Sequence, residues 1–274
     1  MPRSLLAGIA VILFLALQSP ALAARTPNTG RVDPDHVTNE ELYVIASWEN
    51  SPLLTDENAV SHLLYPVESK AADCSARGCT NGCTIGFGYN LGAHPADKVR
   101  ADFAAAGIAP ATAERFVPFA GKTGSDAVAL CGSTATLPDD LTLTHAQAWE
   151  LLRIMTLEHK EKVVRRARSE GLLHRLNAGQ FAVLVALDYQ NPVLCSEAHY
   201  LWLQLAAGDT RAVYRNIRYH MGVKFAPGLA NRRRWEANYF RWAAKLQRRD
   251  SGQQLGYAPV PLARPAPPVV ASSS

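Results

Sequence analysis

The spacing of apolar and polar residues predicts a first helix followed by short strands. Residues 40–49 carry apolar side chains at helical spacing. Residues 62–67 and 83–89 are short runs rich in apolar and aromatic residues, which favour strands. A Cys-rich and Gly-rich segment separates the two runs, and we predict that it forms the turn between them.

Helices are predicted for the rest of the chain after Gly92. Thr144 and Gln147 have the spacing of a capping box, which predicts the start of an amphipathic helix. Gly171 is the expected end of that helix, because glycine commonly follows the last helical residue.

Two further helices are predicted toward the end. Asn177 and Gln180 repeat the capping signal before residues 181–187, which are apolar on all sides and predict a helix buried in a bundle. Residues 231–240 predict an amphipathic closing helix after a Pro-Gly turn at 227–228. The order of helix, small sheet and further helices predicts the α+β class.

The two ends of the chain differ from its middle. Residues 1–23 have a positive start, a short apolar core and a small-residue cleavage site, so we expect a signal peptide and export to the periplasm or the medium. The apolar run is short for a membrane span, and no stable membrane anchor is expected, with an uncleaved signal-anchor as the alternative. Residues 24–39 are interpreted as a flexible lead-in, 40–248 as the folded domain and 249–274 as a disordered tail.

Charge is unevenly distributed along the chain. Residues 24–140 have a net charge of −7, and residues 141–274 have a net charge of +10. This asymmetry suggests two lobes and an anionic partner for the second half. Alternatively, the positive charges lie on ordinary helix faces exposed to water and need no partner. We expect such a solvated face for Lys160, Lys162 and Arg165. Nucleic acid is not expected as the partner of an exported chain.

Five cysteines allow disulfides in an exported chain. Cys74, Cys79 and Cys83 lie close together, and because no His stands at ligand spacing, a disulfide-tied loop is favoured over zinc. We expect one bridge within this cluster and a second pair between Cys131 and Cys195. No metal or organic cofactor is implied.

The stretch TIGFGYNLG, at residues 84–92, is the strongest sign of a functional site. Its glycines would let a ligand approach the backbone closely, or let the strand turn tightly. Upstream, Glu49 ends the first predicted helix beside Trp48. Downstream, the predicted buried helix ends in the polar residues 188–191, which directly follow its apolar part.

This order of motifs resembles the phage-type lysozymes, and more closely the muramidase domain of pesticin, a bacteriocin. The resemblance is carried by Trp48-Glu49 and residues 84–92, with support from residues 143–148, 177–191 and 231–234. It implies a lysozyme-like fold, with a small N-terminal lobe containing a β-hairpin and a larger all-α lobe. It also implies an exported hydrolase that binds peptidoglycan and cleaves its glycan strand after N-acetylmuramic acid.

The resemblance implies roles for particular residues. Glu49 matches the general acid, and a carboxyl beside an apolar neighbour such as Trp48 can keep its proton near neutral pH. Thr84 matches a residue whose hydroxyl helps to place the attacking water. The expected substrate-binding residues are Trp48, Gly86, Gly88, Gln190 and Asn191.

The second carboxylate of an inverting glycosidase is missing from both expected positions. One position holds Gly78, and the other holds Asn90, whose amide can bind the water but cannot take its proton. Glu68 or Asp73 could supply the base from another point, or Glu49 could act alone, as in lytic transglycosylases. The competing class is a protein that binds peptidoglycan, or antagonises muramidases, without cutting. An immunity or inhibitor protein is a further expected partner.

Overall fold

The structure, a computed structural model, describes residues 26–62, 82–131, 141–191, 199–220 and 229–250. The helices are α1 (Asn39–Glu49), α2 (Ser51–Thr55), α3 (Ala96–Ala105), α4 (Pro110–Phe116), α5 (Gly124–Cys131), α6 (His145–Ser169), α7 (Ala178–Gln190), α8 (His199–Ala206), α9 (Thr210–Tyr219) and α10 (Ala230–Asp250). The strands are β1 (Val60–His62), β2 (Thr84–Ile85), β3 (Tyr89–Asn90) and β4 (Thr142–Thr144). This mostly helical mixture confirms the predicted α+β class.

Helix α1 begins with a reciprocal cap, and its predicted extent is confirmed. The Thr38 hydroxyl accepts a hydrogen bond from the N–H of Glu41, and the Glu41 carboxylate accepts one from the N–H of Thr38. The same carboxylate pairs with Lys160 at 2.9 Å, and both side chains are buried. Burial raises the pKa of Glu41, and Lys160 opposes that rise. The assignment of Lys160 to a solvated helix face is therefore wrong.

Helix α7 is the buried central helix that the sequence predicts. Its cap is confirmed, because the Asn177 side chain accepts a hydrogen bond from the N–H of Gln180 at 2.8 Å and the Gln180 side chain accepts one from the N–H of Asn177 at 3.3 Å. Every residue from Ala178 to Asp188 is buried. Helices α1, α6 and α10 pack around it, so its continuous apolar surface is covered by neighbours on several sides.

The segment before α1 contacts the start of α7. The carbonyls of Asn28 and Gly30 accept hydrogen bonds from the N–H groups of Gly179 and Ala178, at 2.8 and 2.9 Å. The first N–H groups of a helix have no partner inside the helix. The described part of the predicted flexible lead-in, residues 26–38, therefore supplies part of the cap of α7.

The strand pairing differs from the prediction. Strand β1 pairs with β4 in antiparallel register, with Val60 opposite Thr144. The sequence predicted that the first strand would pair with residues 83–89, and that only helices would follow Gly92. The error arose because β1 and β4 are short and far apart in sequence, so no turn signal links them. Residues 63–67 of the predicted first strand lie outside the described residues.

Residues 84–90 form a hairpin, where the sequence predicts one strand over 83–89. Strands β2 and β3 are antiparallel, with Thr84 opposite Asn90. The apolar residues Ile85, Phe87 and Tyr89 are buried in the same cluster as the core residues of the helices. Their burial fixes the hairpin against the core.

The helix ends after residue 144 agree with the prediction. Helix α6 starts at the predicted cap of Thr144, and Gly171 follows its end with a φ of 64°. Helix α10 starts where predicted and continues to Asp250, beyond the predicted residues 231–240. The Pro-Gly turn at 227–228 lies outside the described residues. No helix among those described is long and apolar enough to cross a membrane.

A disulfide joins the hairpin to helix α5. Cys83 directly precedes β2 and Cys131 is the last residue of α5, with a sequence separation of 48. The predicted pair of Cys131 with Cys195 is therefore wrong. Within the cysteine cluster only Cys74 and Cys79 are left for a mutual bridge, and both lie outside the described residues.

Candidate functional site

Glu49 is the last residue of α1, and the helix ends beside the hairpin. The next residue, Asn50, leaves helical geometry with a φ of −152°. Its side-chain amide donates a hydrogen bond to the carbonyl of Gly86 at 3.1 Å. This bond ties the end of α1 to the turn between β2 and β3, and so brings Glu49 to that turn.

Glycines form the turn of the hairpin. Gly86 and Gly88 have φ values of 67° and 91°, which residues with a Cβ atom rarely adopt. The N–H of Gly86 also donates a hydrogen bond to the hydroxyl of Ser61, on β1, at 2.8 Å. The tight-turn role predicted for these glycines is therefore confirmed, and the turn is held from both sides by side chains.

The carboxylate of Glu49 lies directly against Gly88. A Cβ atom added to Gly88 would stand 2.8 Å from Oε2 of Glu49 and 3.6 Å from the hydroxyl of Tyr189. The bare backbone therefore gives the carboxylate its space. The Glu49 side chain is 20 % exposed to solvent, so it is largely enclosed and can still be reached from solvent.

Tyr189 closes the site from the end of α7. Its hydroxyl donates a hydrogen bond to the carbonyl of Phe87 at 2.7 Å. Burial raises the pKa of Tyr189 well above that of a free phenol, the charge of Glu49 raises it further, and Arg232 lowers it. The phenol of Tyr189 therefore stays neutral and keeps the O–H group that donates this hydrogen bond. Glu49 thus lies where the end of α1, the hairpin turn and the end of α7 meet.

Arg232, near the start of α10, pairs with Glu49. Its Nη1 lies 2.5 Å from Oε1 of Glu49, and its Nε lies 2.9 Å from a carboxylate oxygen of Glu236. Burial lowers the pKa of Arg232, but the two carboxylates raise it more, and the net shift is upward. Arg232 is therefore a permanent cation that fixes the orientation of the Glu49 carboxylate.

Glu236 links this pair to a second arginine. It is fully buried and accepts a hydrogen bond from Arg233, which also donates to the side-chain oxygen of Gln190. The contacts therefore run from Glu49 through α10 to the end of α7. Arg232 and Glu236 are not predicted as site residues by the sequence. Their opposite charges at i and i+4 were a local signal, but the partner of Arg232 lies 183 positions away.

Thr84 and Asn90 face each other across the hairpin whose turn contacts Glu49. The side-chain oxygen of Asn90 accepts a hydrogen bond from the N–H of Gly82 at 3.0 Å. This bond fastens the entry of the hairpin, so the amide of Asn90 has a structural contact. Glu68 and Asp73, the two expected alternatives for the base, lie outside the described residues.

The remaining expected binding residues divide into two groups. Gln190 belongs to the charged network through its bond with Arg233. Trp48 packs edge-on against Trp235 of α10, with a centroid distance of 6.1 Å, and Asn191 is the C-cap of α7. Among the described residues, no group of three or more His, Cys, Asp or Glu could hold a metal ion.

Replacing Gly88 with alanine is expected to lower the free energy of unfolding by about 1–3 kcal/mol. The alanine would have to keep a φ of 91°, and its Cβ would force the carboxylate of Glu49 to move. Gly107→Ala is the matched control, because Gly107 has a φ of 70° and nothing lies within 4 Å of its Cβ position. Equal losses for both variants in urea denaturation would contradict the contact with Glu49.

A family described as Domain of unknown function (DUF8812) matches residues 73–187. The matched segment includes the hairpin, α6 and most of α7, and it excludes both Glu49 and Arg232. The similarity therefore covers one side of the candidate site. No curated protein matches the chain.

Proposed function

We propose that the protein is an exported muramidase of the lysozyme type, which hydrolyses the glycan strand of peptidoglycan after N-acetylmuramic acid. The observation that carries the proposal is the contact of the Glu49 carboxylate with the glycine turn at Gly88, while Arg232 holds its other oxygen. A carboxyl, a bare backbone surface and a fixed cation are features that glycoside cleavage can use. In this proposal, the hairpin belongs to a small N-terminal lobe, the later helices form a larger lobe, and the two lobes flank a cleft.

Glu49 acts as the general acid in the proposed reaction. It donates its proton to the oxygen that leaves when the glycosidic bond breaks. The carboxylate that remains faces Arg232, whose charge stabilises it through a charge-assisted hydrogen bond. The Thr84 hydroxyl places the attacking water, a role that rests on the resemblance of residues 84–92 to the lysozyme motif.

Two routes can complete the reaction. In the first, Glu68 or Asp73 takes the proton from the attacking water, and the product has a new reducing end. In the second, Glu49 acts as acid and then as base, and the 6-hydroxyl of the substrate closes an anhydro ring. We favour the hydrolytic route, and the mass of the product distinguishes the two.

A specific observation favours binding without cleavage as a second candidate function. The pesticin-like pattern expects a carboxylate at Asn90, and an amide cannot take a proton from water. The oxygen of this amide is also engaged with the N–H of Gly82. Such a protein would dock on the wall or antagonise other muramidases, whereas an active enzyme would need an immunity or inhibitor protein to control it.

The two functions are separated by comparing binding and cleavage on the same purified peptidoglycan. We expect the mature protein to sediment with peptidoglycan and to lower the turbidity of the suspension. Sedimentation without a loss of turbidity would favour the binding protein. Asn90→Asp is the companion variant, because it restores a carboxylate at the pesticin-like position. A higher rate in that variant would identify water activation as the slow step, and an unchanged rate would favour Glu68 or Asp73 as the base.

A further inference from the structure

Helices α9 and α10 carry matching rows of cations. Each row has cations at positions i, i+4 and i+7: Arg211, Arg215 and Arg218 on α9, and Arg241, Lys245 and Arg248 on α10. This spacing puts the members of a row on one face of their helix. The two helices pack against each other, so the two rows belong to neighbouring elements of the fold.

A groove of about 350 Å³ lies between these two helices. Its walls include the cations Arg211, Arg241, Lys245 and Arg248, together with Thr210, Tyr214 and Asp209. The carboxylate of Asp209 is engaged as the N-cap of α9, where it accepts a hydrogen bond from the N–H of Ala212 at 2.8 Å. Four cations and one engaged carboxylate make the walls positive.

Tyr214 and Thr210 order arginines in the groove and beside it. The Arg241 guanidinium lies 4.4 Å from the centroid of the Tyr214 ring. Arg218 donates a hydrogen bond to the Tyr214 hydroxyl, and Arg248 donates one to the Thr210 hydroxyl at 2.9 Å. Side chains that are already ordered lose less conformational entropy when they bind an anion.

Several arginines elsewhere in the described chain pair with carboxylates. The pairs are Arg100 with Asp97 and Glu114, Arg153 with Glu150, Arg165 with Glu161 and Arg166 with Glu170. Within the same described ranges, Arg211, Arg215, Arg218 and Arg241 form no ion pair with a carboxylate. Positive charge concentrated in this way repels itself and attracts an anionic partner.

We propose that the groove between α9 and α10 binds a linear phosphodiester polymer of the cell envelope, separately from the site at Glu49. Guanidinium groups match the geometry of phosphate oxygens. The three cations of α10 and Arg211 of α9 line the groove, and such a series of cations fits a chain with a charge on every repeat. A flat membrane surface cannot enter a groove walled by two helices. Arg241 lies nine residues after Arg232 on α10, roughly 14 Å along the helix axis, so the groove is separate from the site at Glu49.

The test uses the mature chain and synthetic poly(glycerol phosphate), with binding measured by calorimetry over a range of salt concentrations. Replacing both Arg211 and Arg241 with glutamine is expected to weaken binding about tenfold or more and to reduce the salt slope by roughly one to two. The double variant Arg165→Gln/Arg168→Gln on α6 is the matched control. It removes the same charge from another exposed helix face and is expected to bind almost as wild type does.

Equal weakening in the two double variants would overturn the proposal, because net charge alone would then explain binding. Tighter binding to vesicles of phosphatidylglycerol would also overturn it and would assign the surface to membranes. Tighter binding to polyglutamate would overturn the choice of phosphate, and inorganic phosphate binding as tightly as the polymer would overturn the need for a chain. None of these results depends on whether Glu49 is catalytic.

Discussion

Replacing Glu49 with glutamine is expected to lower the turnover of purified peptidoglycan by at least ~10²-fold while the fold remains intact. Glutamine has the size of glutamate, but its amide has no acidic proton to transfer to the leaving oxygen. It can still accept a hydrogen bond from Arg232 and occupy the space beside Gly88. The measurement is the initial rate of turbidity loss, with circular dichroism to confirm the fold.

Glu114→Gln is the matched control for this variant. Glu114 also pairs with an arginine, because Arg100 lies 2.6 Å from it, but this pair is on the surface. The control makes the same chemical change and also removes one ion pair, and its rate is expected to stay close to that of wild type. Equal rates for Glu49→Gln and wild type would remove Glu49 from the proposed mechanism.

Replacing Glu236 with glutamine is expected to lower the free energy of unfolding by about 3–5 kcal/mol. Glu236 is fully buried, and it compensates the charges of Arg232 and Arg233, which are buried as well. Removing the charge of Glu236 leaves the buried guanidinium groups of Arg232 and Arg233 without the carboxylate that compensates them. Urea denaturation of the variant and the wild type measures the loss.

Glu161→Gln provides the comparison for a surface pair. Glu161 lies 3.8 Å from Arg165, and both side chains are mostly exposed, so a loss of at most about 1 kcal/mol is expected. If Glu236→Gln costs no more than this control, the arginines are compensated by another group, and the network from Glu49 to Gln190 does not depend on Glu236.

Helices α1, α6, α7 and α10 could be predicted from the sequence because their signals are local. The caps at Thr144 and Asn177 lie three residues from their partners. The residues of α7 are apolar on all sides, a pattern that predicts a buried helix. Gly171 could be predicted as a helix end because glycine readily adopts a positive φ. Lys160 was wrongly assigned to a solvated face, since a charged residue becomes buried only when a distant partner such as Glu41 meets it.

The sheet and the disulfide could not be predicted because they join distant segments. The pairing of β1 with β4 depends on the fold as a whole, as does the bond between Cys83 and Cys131. The candidate site shows the same division. Glu49 and Gly88 could be singled out from local motifs, but their mutual contact and the role of Arg232 depend on the approach of α1, the hairpin and α10.

Mass spectrometry of the products released from purified peptidoglycan tests the proposed muramidase activity most directly. The mature protein, with its disulfides formed, is incubated with the polymer, and the soluble fragments are compared with those from Glu49→Gln. Wild type is expected to release fragments with N-acetylmuramic acid at new reducing ends, and the variant is expected to release at least ~10²-fold less. Peptidoglycan left uncut by both proteins would contradict the hydrolase and would leave the binding protein as the better explanation.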